Sequence, residues 1–301
     1  MRNILYIINP IAGTSAKKNL RQQIEEKTRG KKIPFEIISS AANGDYSFLH
    51  NIIEKKKVTD VVIAGGDGTV NQVVRGLLMH PVNFGIIPCG SGNGLAYAAK
   101  IPKQYSQALD IIFNGKAEAV DGFYINDHFG CMLAGLGFDA KVAEDFAQQP
   151  KRGLMTYLQL TLKNFLFSKT YSFGLELLDK QLETDAYFIS IANSNQFGNN
   201  LSIAPRASLS DGLLDVVILT RQNKMSFAFN TLKQIGGWNK LQPATAIEKN
   251  KAVIYFQTEK LSIINHSHAP LHIDGEPAAA PEKINIAVKK KCFRLLQPRK
   301  D

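Results

Sequence analysis

Asp67 lies in "VVIAGGDGTVNQVVRGLL" (residues 61–78), flanked by Gly65, Gly66, Gly68 and Thr69 at the end of an apolar run. A carboxylate so placed has two chemical uses: it takes a proton from an attacking hydroxyl, or it holds a metal ion. The glycines point to the other reactant. Glycine permits positive φ and lets a ligand approach the backbone with no Cβ in the way. The helix-like pattern that follows offers free N–H groups and a positive dipole end, which suit phosphate. Asp67 would repel that anion unless a metal bridges them or the carboxylate is aimed at a hydroxyl. A tight turn with Asp67 or Thr69 as helix N-cap uses the same residues, and one glycine motif alone is weak evidence. Two companion loops change the weighting. "INPIAG" carries Asn9, Pro10 and Gly13, and "PCGSGNGLA" carries Gly90, Ser91, Gly92, Asn93 and Gly94. Three such loops converging on one sheet edge make a phosphate pocket for a nucleotide.

Positioning those loops requires alternating strands and helices. "NILYIIN", "PFEIISS", "DVVIAG" and "NFGIIP" read as strands. Between them, "SAKKNLRQQIEEKTRG", "DYSFLHNIIEKKK" (Asp45 as N-cap) and "TVNQVVRGLLM" read as helices, and "GSGNGLAYAAK" enters a fourth. Val70, Val73, Val74 and Leu77 fall on one helical face. The pattern predicts an α/β, Rossmann-like nucleotide-binding domain with an open, mainly parallel sheet and ligands at its carboxyl edge. From about residue 120 the texture becomes strand, turn, strand. "AEAVDGFYINDHFGCMLAGLGFDA" turns at Asn126-Asp127, and "TYSFGLELLD", "DAYFISIANS", "DGLLDVVILT", "KAVIYFQTEKLSIINH" and "PLHIDGEPA" follow. This is a β-rich second domain with helical insertions near 153–167 and 225–238. The tail "INIAVKKKCFRLLQ" fits either domain.

Composition bounds the partners. With 301 residues, 45% hydrophobic and 21% charged, the chain is globular, with about two domains expected. Cys89, Cys131 and Cys292 lie far apart without metal spacing, which suits a reducing compartment. Cys89 reads as a small buried residue. The apolar run of "MRNILYIINP" is too short for a signal peptide, and no run approaches the roughly 18 residues of a membrane span. A soluble cytoplasmic protein is expected. The net charge of +10 attracts nucleic acid, anionic membranes or phosphorylated ligands alike. Its lysine clusters lack the interleaved aromatics of a nucleic-acid binder, so solvated charge and membrane attraction are the readings kept.

"LHIDGEP" raises the carboxylate question again. As an extended strand it sets His272, Asp274 and Glu276 on one face, where two carboxylates repel unless they bind metal, share a proton or flank a reacting group. An Asp-Gly turn is the alternative. Zinc at His266, His268 and His272 has no supporting signature.

The ordered set "NPIAG", "GGDGTVN", "PCGSGNGLA" and "HIDGEP" resembles the diacylglycerol kinase catalytic family, which includes bacterial lipid kinases, sphingosine kinases and ceramide kinases. The resemblance spans nearly the whole chain; GGDGT alone is shared with NAD kinases and phosphofructokinases. It implies a nucleotide-binding α/β domain (1–121 with about 289–301) and a β-sandwich lipid-substrate domain (122–288), with the active site in the cleft between them. It also implies ATP and Mg²⁺ as cofactors. Nucleotide contacts carried over are Asn9, Ser40, Gly65, Gly66, Asp67, Gly68, Thr69, Val70, Asn71, Gly90, Ser91, Gly92 and Asn93. Ser40 stands where the family usually has Thr. Glu276 resembles the general base, with Asp67 orienting the hydroxyl or binding Mg²⁺; the roles can be exchanged, and Asp274 belongs to the same motif. Asp121 resembles a residue that supports the acceptor site, with a strand-end turn as its alternative. "IAPRASLSDGLLDVVIL" resembles a structural Mg²⁺ segment, through Asp211 and the carbonyls of Ser208 and Leu213; a hairpin turn is the alternative. The implied reaction is phosphoryl transfer from ATP to a lipid hydroxyl, of diacylglycerol, a sphingoid base or another long-chain alcohol. Gly94, where many bacterial members have Asp, tilts the acceptor from diacylglycerol toward a sphingoid base or other long-chain alcohol. The Leu-, Phe- and Tyr-rich segment 153–173 lines an acyl pocket or packs a core. Peripheral membrane association is expected, nucleic acid is not, and a homodimer is left open. An NAD kinase-like enzyme or an inactive nucleotide or lipid sensor are the rival readings.

Overall fold

The run Ile4–Ile8 (β1) opens an alternating series: α1 (Leu20–Gly30), β2 (Phe35–Ser39), α2 (Leu49–Lys56), β3 (Asp60–Gly65), α3 (Asp67–Leu77), β4 (Asn83–Pro88), α4 (Gly94–Ala98) and α5 (Tyr105–Asn114). The computed structural model describes residues 2–11, 19–149, 154–177, 180–196 and 202–299; Gly13 and the start of the expected first helix lie outside them. Every residue of β3 is buried, as a strand covered on both faces requires. Strand order is β2-β1-β3-β4, all parallel, with Ile4 opposite both Phe35 and Asp60, and Asp60 opposite Asn83. Helix α3 buries Val70, Val73, Val74 and Leu77. On the amino edge of the strands Arg2 forks onto buried Asp60, Nε to Oδ2 at 2.9 Å and Nη2 to Oδ1 at 3.3 Å.

The chain divides into two compact units, 1–120 with 291–301, and 121–290. The second is built from β5 (Lys116–Ile125), β6 (His128–Gly130), β7 (Leu133–Gly137), α6 (Phe138–Ala147), α7 (Leu154–Phe167), β8 (Tyr171–Leu177), β9 (Lys180–Ala192), β10 (Leu214–Thr220), α8 (Lys224–Ile235), β11 (Val253–Thr258), β12 (Lys260–Asn265), β13 (Leu271–Ile273), β14 (Glu276–Ala278) and most of β15 (Lys283–Gln297). The pairs β5–β6, β7–β9, β7–β13, β8–β9, β8–β12, β9–β10, β10–β11, β12–β15 and β13–β14 are antiparallel. The long β9 joins two layers: its first half pairs with β8, and its second half runs between β7 and β10. Between the layers lies a core that includes Phe123, Leu136, Phe173, Ile191, Phe256 and Ile263, giving a β-sandwich. A second cluster, with Tyr187, Phe188, Val217, Tyr255 and Phe227 of α8, covers the outer face of one layer. The last residues of β15 lie parallel to β4, Arg294 opposite Asn83 and Leu295 opposite Phe84.

Three local expectations are corrected. Helix α2 starts at Leu49, and Asp45 does not cap it; its carboxylate accepts the Ser47 N–H at 2.8 Å, closing a turn first. Helices α5 and α6 were not anticipated. "HIDGE" is not extended: Asp274 (φ 51) and Gly275 (φ 83) form a two-residue turn, with Ile273 paired to Glu276. Both φ values are left-handed, which is what a type I′ hairpin demands.

Candidate active site

The carboxyl ends of the four parallel strands continue their ladder into the loops. Ser40 N–H donates to Ile8 O, Asn9 N–H to Ala64 O and Cys89 N–H to Gly65 O, each at 2.9 Å. Asn9, Ser40, Gly65 and the loop beginning at Gly90 therefore share one edge. Asn9 also reaches across it, Nδ2 donating to Thr69 Oγ1 at 2.8 Å, while its Oδ1 accepts from Ile11 N–H. That bond fixes the first loop to the start of α3.

The glycines here serve close approach rather than left-handed backbone, a correction to the sequence expectation. A β-carbon on Gly90 would lie 2.6 Å from Gly66 Cα, and one on Gly65 would lie 2.8 Å from Thr69 Cβ. The two glycine loops thus meet backbone on backbone. Among the described residues of both loops, Asn93 alone has positive φ (53). It is 2% exposed and staples its own loop, Oδ1 accepting from Gly90 N–H and Nδ2 donating to Gly90 O, both at 2.8 Å. Gly66 precedes α3 in extended conformation with no side-chain cap, and the first helical bond is Val70 N–H to Gly66 O. The N–H groups of Asp67, Gly68 and Thr69 precede that bond, at the dipole end where anions bind. Val70 leaves the contact set: its side chain is in the core and its N–H is in the helix. Asp67, Asn71 and Gly92 are half-buried around this start, and Ser91 is exposed. Beside α3 an open cavity of about 360 Å³ is lined by Asn43, Gly44, Tyr46, His50, Gln72 and Arg75, among others. Gly90→Ala must push the two loops apart, so a loss of nucleotide affinity of about tenfold or more is expected with native secondary structure kept. Calorimetric titration with ATP beside circular dichroism checks it.

In the second unit the carboxylates separate into different roles. Asp274 is 6% exposed, and its Oδ2 accepts Cys131 N–H (2.9 Å) while Oδ1 accepts Met132 N–H (2.9 Å) and Leu133 N–H (3.0 Å). That makes it a backbone anchor, not the face-mate of Glu276 that an extended strand implied. Glu276, two residues on, is exposed at the start of β14. His272 is buried, Nε2 3.6 Å from Asp139 Oδ2, and a β-carbon on Gly135 would lie 2.6 Å from that nitrogen. His266 instead faces Glu183, so the histidines have separate neighbours.

Asp121 is 1% exposed and tied to the loop before β10: its N–H donates to Leu209 O and its Oδ2 accepts Gly212 N–H, both at 2.7 Å. The loop holding Ser208, Asp211 and Leu213 is thereby brought to Asp121, a link the sequence did not reveal. Asp211 Oδ1 accepts Leu213 N–H at 3.1 Å. Loss of hydration, and then the Asp121 charge, raise the Asp211 pKa against that bond. Asn193 was missed altogether. Fully buried, its Nδ2 donates to Asp121 O (2.8 Å) and Cys131 O (3.0 Å), joining the Asp121 segment to the segment that Asp274 anchors. A buried amide after the apolar run "FISIA" was its one signal. In the apolar segment after residue 153, Phe165 stacks on Phe227 with centroids 5.3 Å apart, so that ring packs a core, while Phe167 is exposed.

The chain is similar to known proteins along most of its length. The diacylglycerol kinase catalytic domain matches residues 3–125, and the YegS C-terminal NAD kinase beta sandwich-like domain matches residues 133–296. Proteins named "Probable lipid kinase YegS-like" from Yersinia pestis (strain Pestoides F) and from Yersinia pseudotuberculosis serotype O:1b (strain IP 31758) are each 30% identical over 227 residues, 73% of both chains. A crystal structure of a diacylglycerol kinase from Bacillus anthracis str. Sterne has the same fold, with a TM-score of 0.74 at 17% identity over 98% of this chain and 97% of that one. With one family domain matching each half, the chain belongs to the diacylglycerol kinase catalytic-domain family and is a kinase.

Proposed function

We propose that the chain transfers the γ-phosphate of ATP to the hydroxyl of a lipid: diacylglycerol, a sphingoid base or a related long-chain alcohol. The observation that carries this reading is the seating of Gly66 against Gly90 beside the uncapped start of α3, at the edge where all four parallel strands end. Those loops bring main-chain N–H groups to the triphosphate with no side chain between. Asn9 fixes the register of the first loop through Thr69. Glu276, exposed at a hairpin that Asp274 anchors, is the base that takes the acceptor's proton. Positioning and charge neutralisation supply most of the rate in such transfers.

Mg²⁺, when bound, neutralises charge on the phosphates, and Asp67 would hold it there. A second, structural Mg²⁺ fits the loop before β10: burial, and to a lesser degree the Asp121 carboxylate, raise the Asp211 pKa, and a divalent cation would offset both. Asp211 would supply its side chain, and Ser208 and Leu213 their carbonyls. Among the described residues no group of three His, Cys, Asp or Glu gathers, so such a site relies on carbonyls and water. Mg²⁺ is expected to raise the Tm of the chain and not that of Asp211→Asn. A proton competes for the raised-pKa carboxylate, so the gain is larger at pH 8 than at pH 4.5; scanning calorimetry at both pH values reads it.

The test of function is transfer of labelled γ-phosphate from ATP-Mg²⁺ to diacylglycerol, monoacylglycerol, phosphatidylglycerol, sphinganine and ceramide in mixed micelles, with NAD in buffer. Label in the organic phase supports the proposal and names the acceptor. Label on NAD alone, or ATP binding without any transfer, replaces it with the NAD kinase or sensor reading.

A further inference from the structure

Eight large hydrophobic side chains are exposed among the described residues, and five of them belong to α7, α8 and the turn after α8: Phe167, Met225, Phe229, Leu232 and Trp238, each between 62% and 83% exposed. Their spacing is not random. Met225, Phe229 and Leu232 stand at i, i+4 and i+7 of α8, one stripe of the helix. The opposite stripe is used up: Phe227 and Gln234 are buried, with the Phe227 ring 4.4 Å from Tyr187 and 5.7 Å from Phe138 between centroids, and Gln234 Nε2 donating to Ile203 O. Helix α8 is thus apolar on both sides, and its own domain covers only one.

Lysine joins the two helices. Lys224 Nζ, at the start of α8, donates to the carbonyls of Phe165 (3.0 Å) and Ser168 (2.6 Å) at the end of α7, which ties the end of α7, with exposed Phe167, to the start of α8. At the other end, Trp238 follows the Gly236-Gly237 pair, its ring edge 3.4 Å from where a β-carbon on Gly236 would sit. The two segments themselves carry charge of one sign. Residues 154–175 and 222–247 contain Lys163, Lys169, Lys224, Lys233 and Lys240, and no Asp or Glu. An apolar stripe ending in tryptophan, on segments whose own charges are all lysine, complements a surface that is apolar inside and anionic outside.

We infer that the exposed stripe of α8, with Phe167 and Trp238, is the surface by which this chain docks on an anionic phospholipid bilayer. Met225, Phe229 and Leu232 enter the acyl boundary, Trp238 lies at the headgroup level, and Lys169, Lys233 and Lys240 neutralise lipid phosphates. The inference deepens the proposed function, resting on it for the reason a membrane-borne acceptor must be reached, but its test does not depend on turnover.

Trp238 is the sole tryptophan of the chain and reports its own environment. Titrating the protein with vesicles of equimolar phosphatidylglycerol and phosphatidylcholine should shift its emission to the blue, and brominated acyl chains should quench it. Vesicles of phosphatidylcholine alone should bind about tenfold or more weakly, and added salt should lower the affinity for the anionic ones. Phe229→Gln with Leu232→Gln keeps the probe and should weaken binding about tenfold or more, with unchanged Tm and unchanged turnover of a short-chain, micelle-free acceptor. Equal binding to both vesicles, or full binding by the double variant, overturns the docking surface even if the kinase assay succeeds. So does a wild-type dimer, seen by light scattering, that the double variant splits, because the stripe is then covered by a second copy. Loss of vesicle binding in a monomeric, folded double variant supports it even if no tested lipid is phosphorylated.

Discussion

Replacing Glu276 with Gln is expected to lower kcat by about 10²–10⁴-fold while leaving ATP affinity and Tm unchanged. Gln keeps the length and hydrogen-bonding shape of Glu and removes only the capacity to take a proton. The residue is exposed, so little packing is disturbed, and exposed substitutions move stability by about 0.5 kcal/mol or less. Its placement depends on the hairpin: Ile273 pairs with Glu276 across a two-residue turn, so the side chain leaves a backbone with no slack. Single-turnover transfer from labelled ATP, beside calorimetric ATP binding, separates the proton-transfer role from nucleotide contact. Near-wild-type turnover in Glu276→Gln would move the base to Asp67.

The Asp274→Ala variant should lose stability on a larger scale, about 3–5 kcal/mol, because three main-chain N–H groups lose their acceptor inside the protein. Whole domains are stable by only about 5–15 kcal/mol, so much of the margin goes. Asn at this position tolerates the left-handed φ of 51 and keeps one acceptor oxygen, so Asp274→Asn should fall between the two. Urea midpoints for the three proteins, with unchanged m-values, measure the order. A catalytic carboxylate would show the reverse pattern, with turnover lost in Asp274→Asn and the midpoint unmoved.

The parallel sheet and the α3 face were legible because strand and helix periods are local and the chain alternates between them. The loop-bearing carboxyl edge of the sheet was legible because glycine-rich loops follow its strands. The contacts that give this edge its form were not: Asn9 to Thr69 and Gly66 to Gly90 join residues far apart in sequence, and in the second unit so does Asp121 to Gly212. Helix α6 was hidden by its entry, since "MLAGLGFDA" reads as strand until Gly137, at φ 90, turns the chain into a helix. "HIDGE" was misread by preferring alternation over the Asp-Gly pair, itself a strong hairpin signal. Asn193 carries no motif, and its role exists only through the two carbonyls it joins.

The return of the last strand has a consequence for synthesis. Leu295 and Leu296 are buried in the first unit, Phe293 packs edge-on to Phe84 at 6.0 Å between centroids, and β15 is the outer neighbour of β4. While the ribosome is still making residues 121–290, β4 has an unpaired edge and a nascent chain cannot close its first unit. That unit is started before the second unit and completed after it. Until residues 291–297 emerge, the open strand edge is a surface for chaperones to guard and for other chains to pair with.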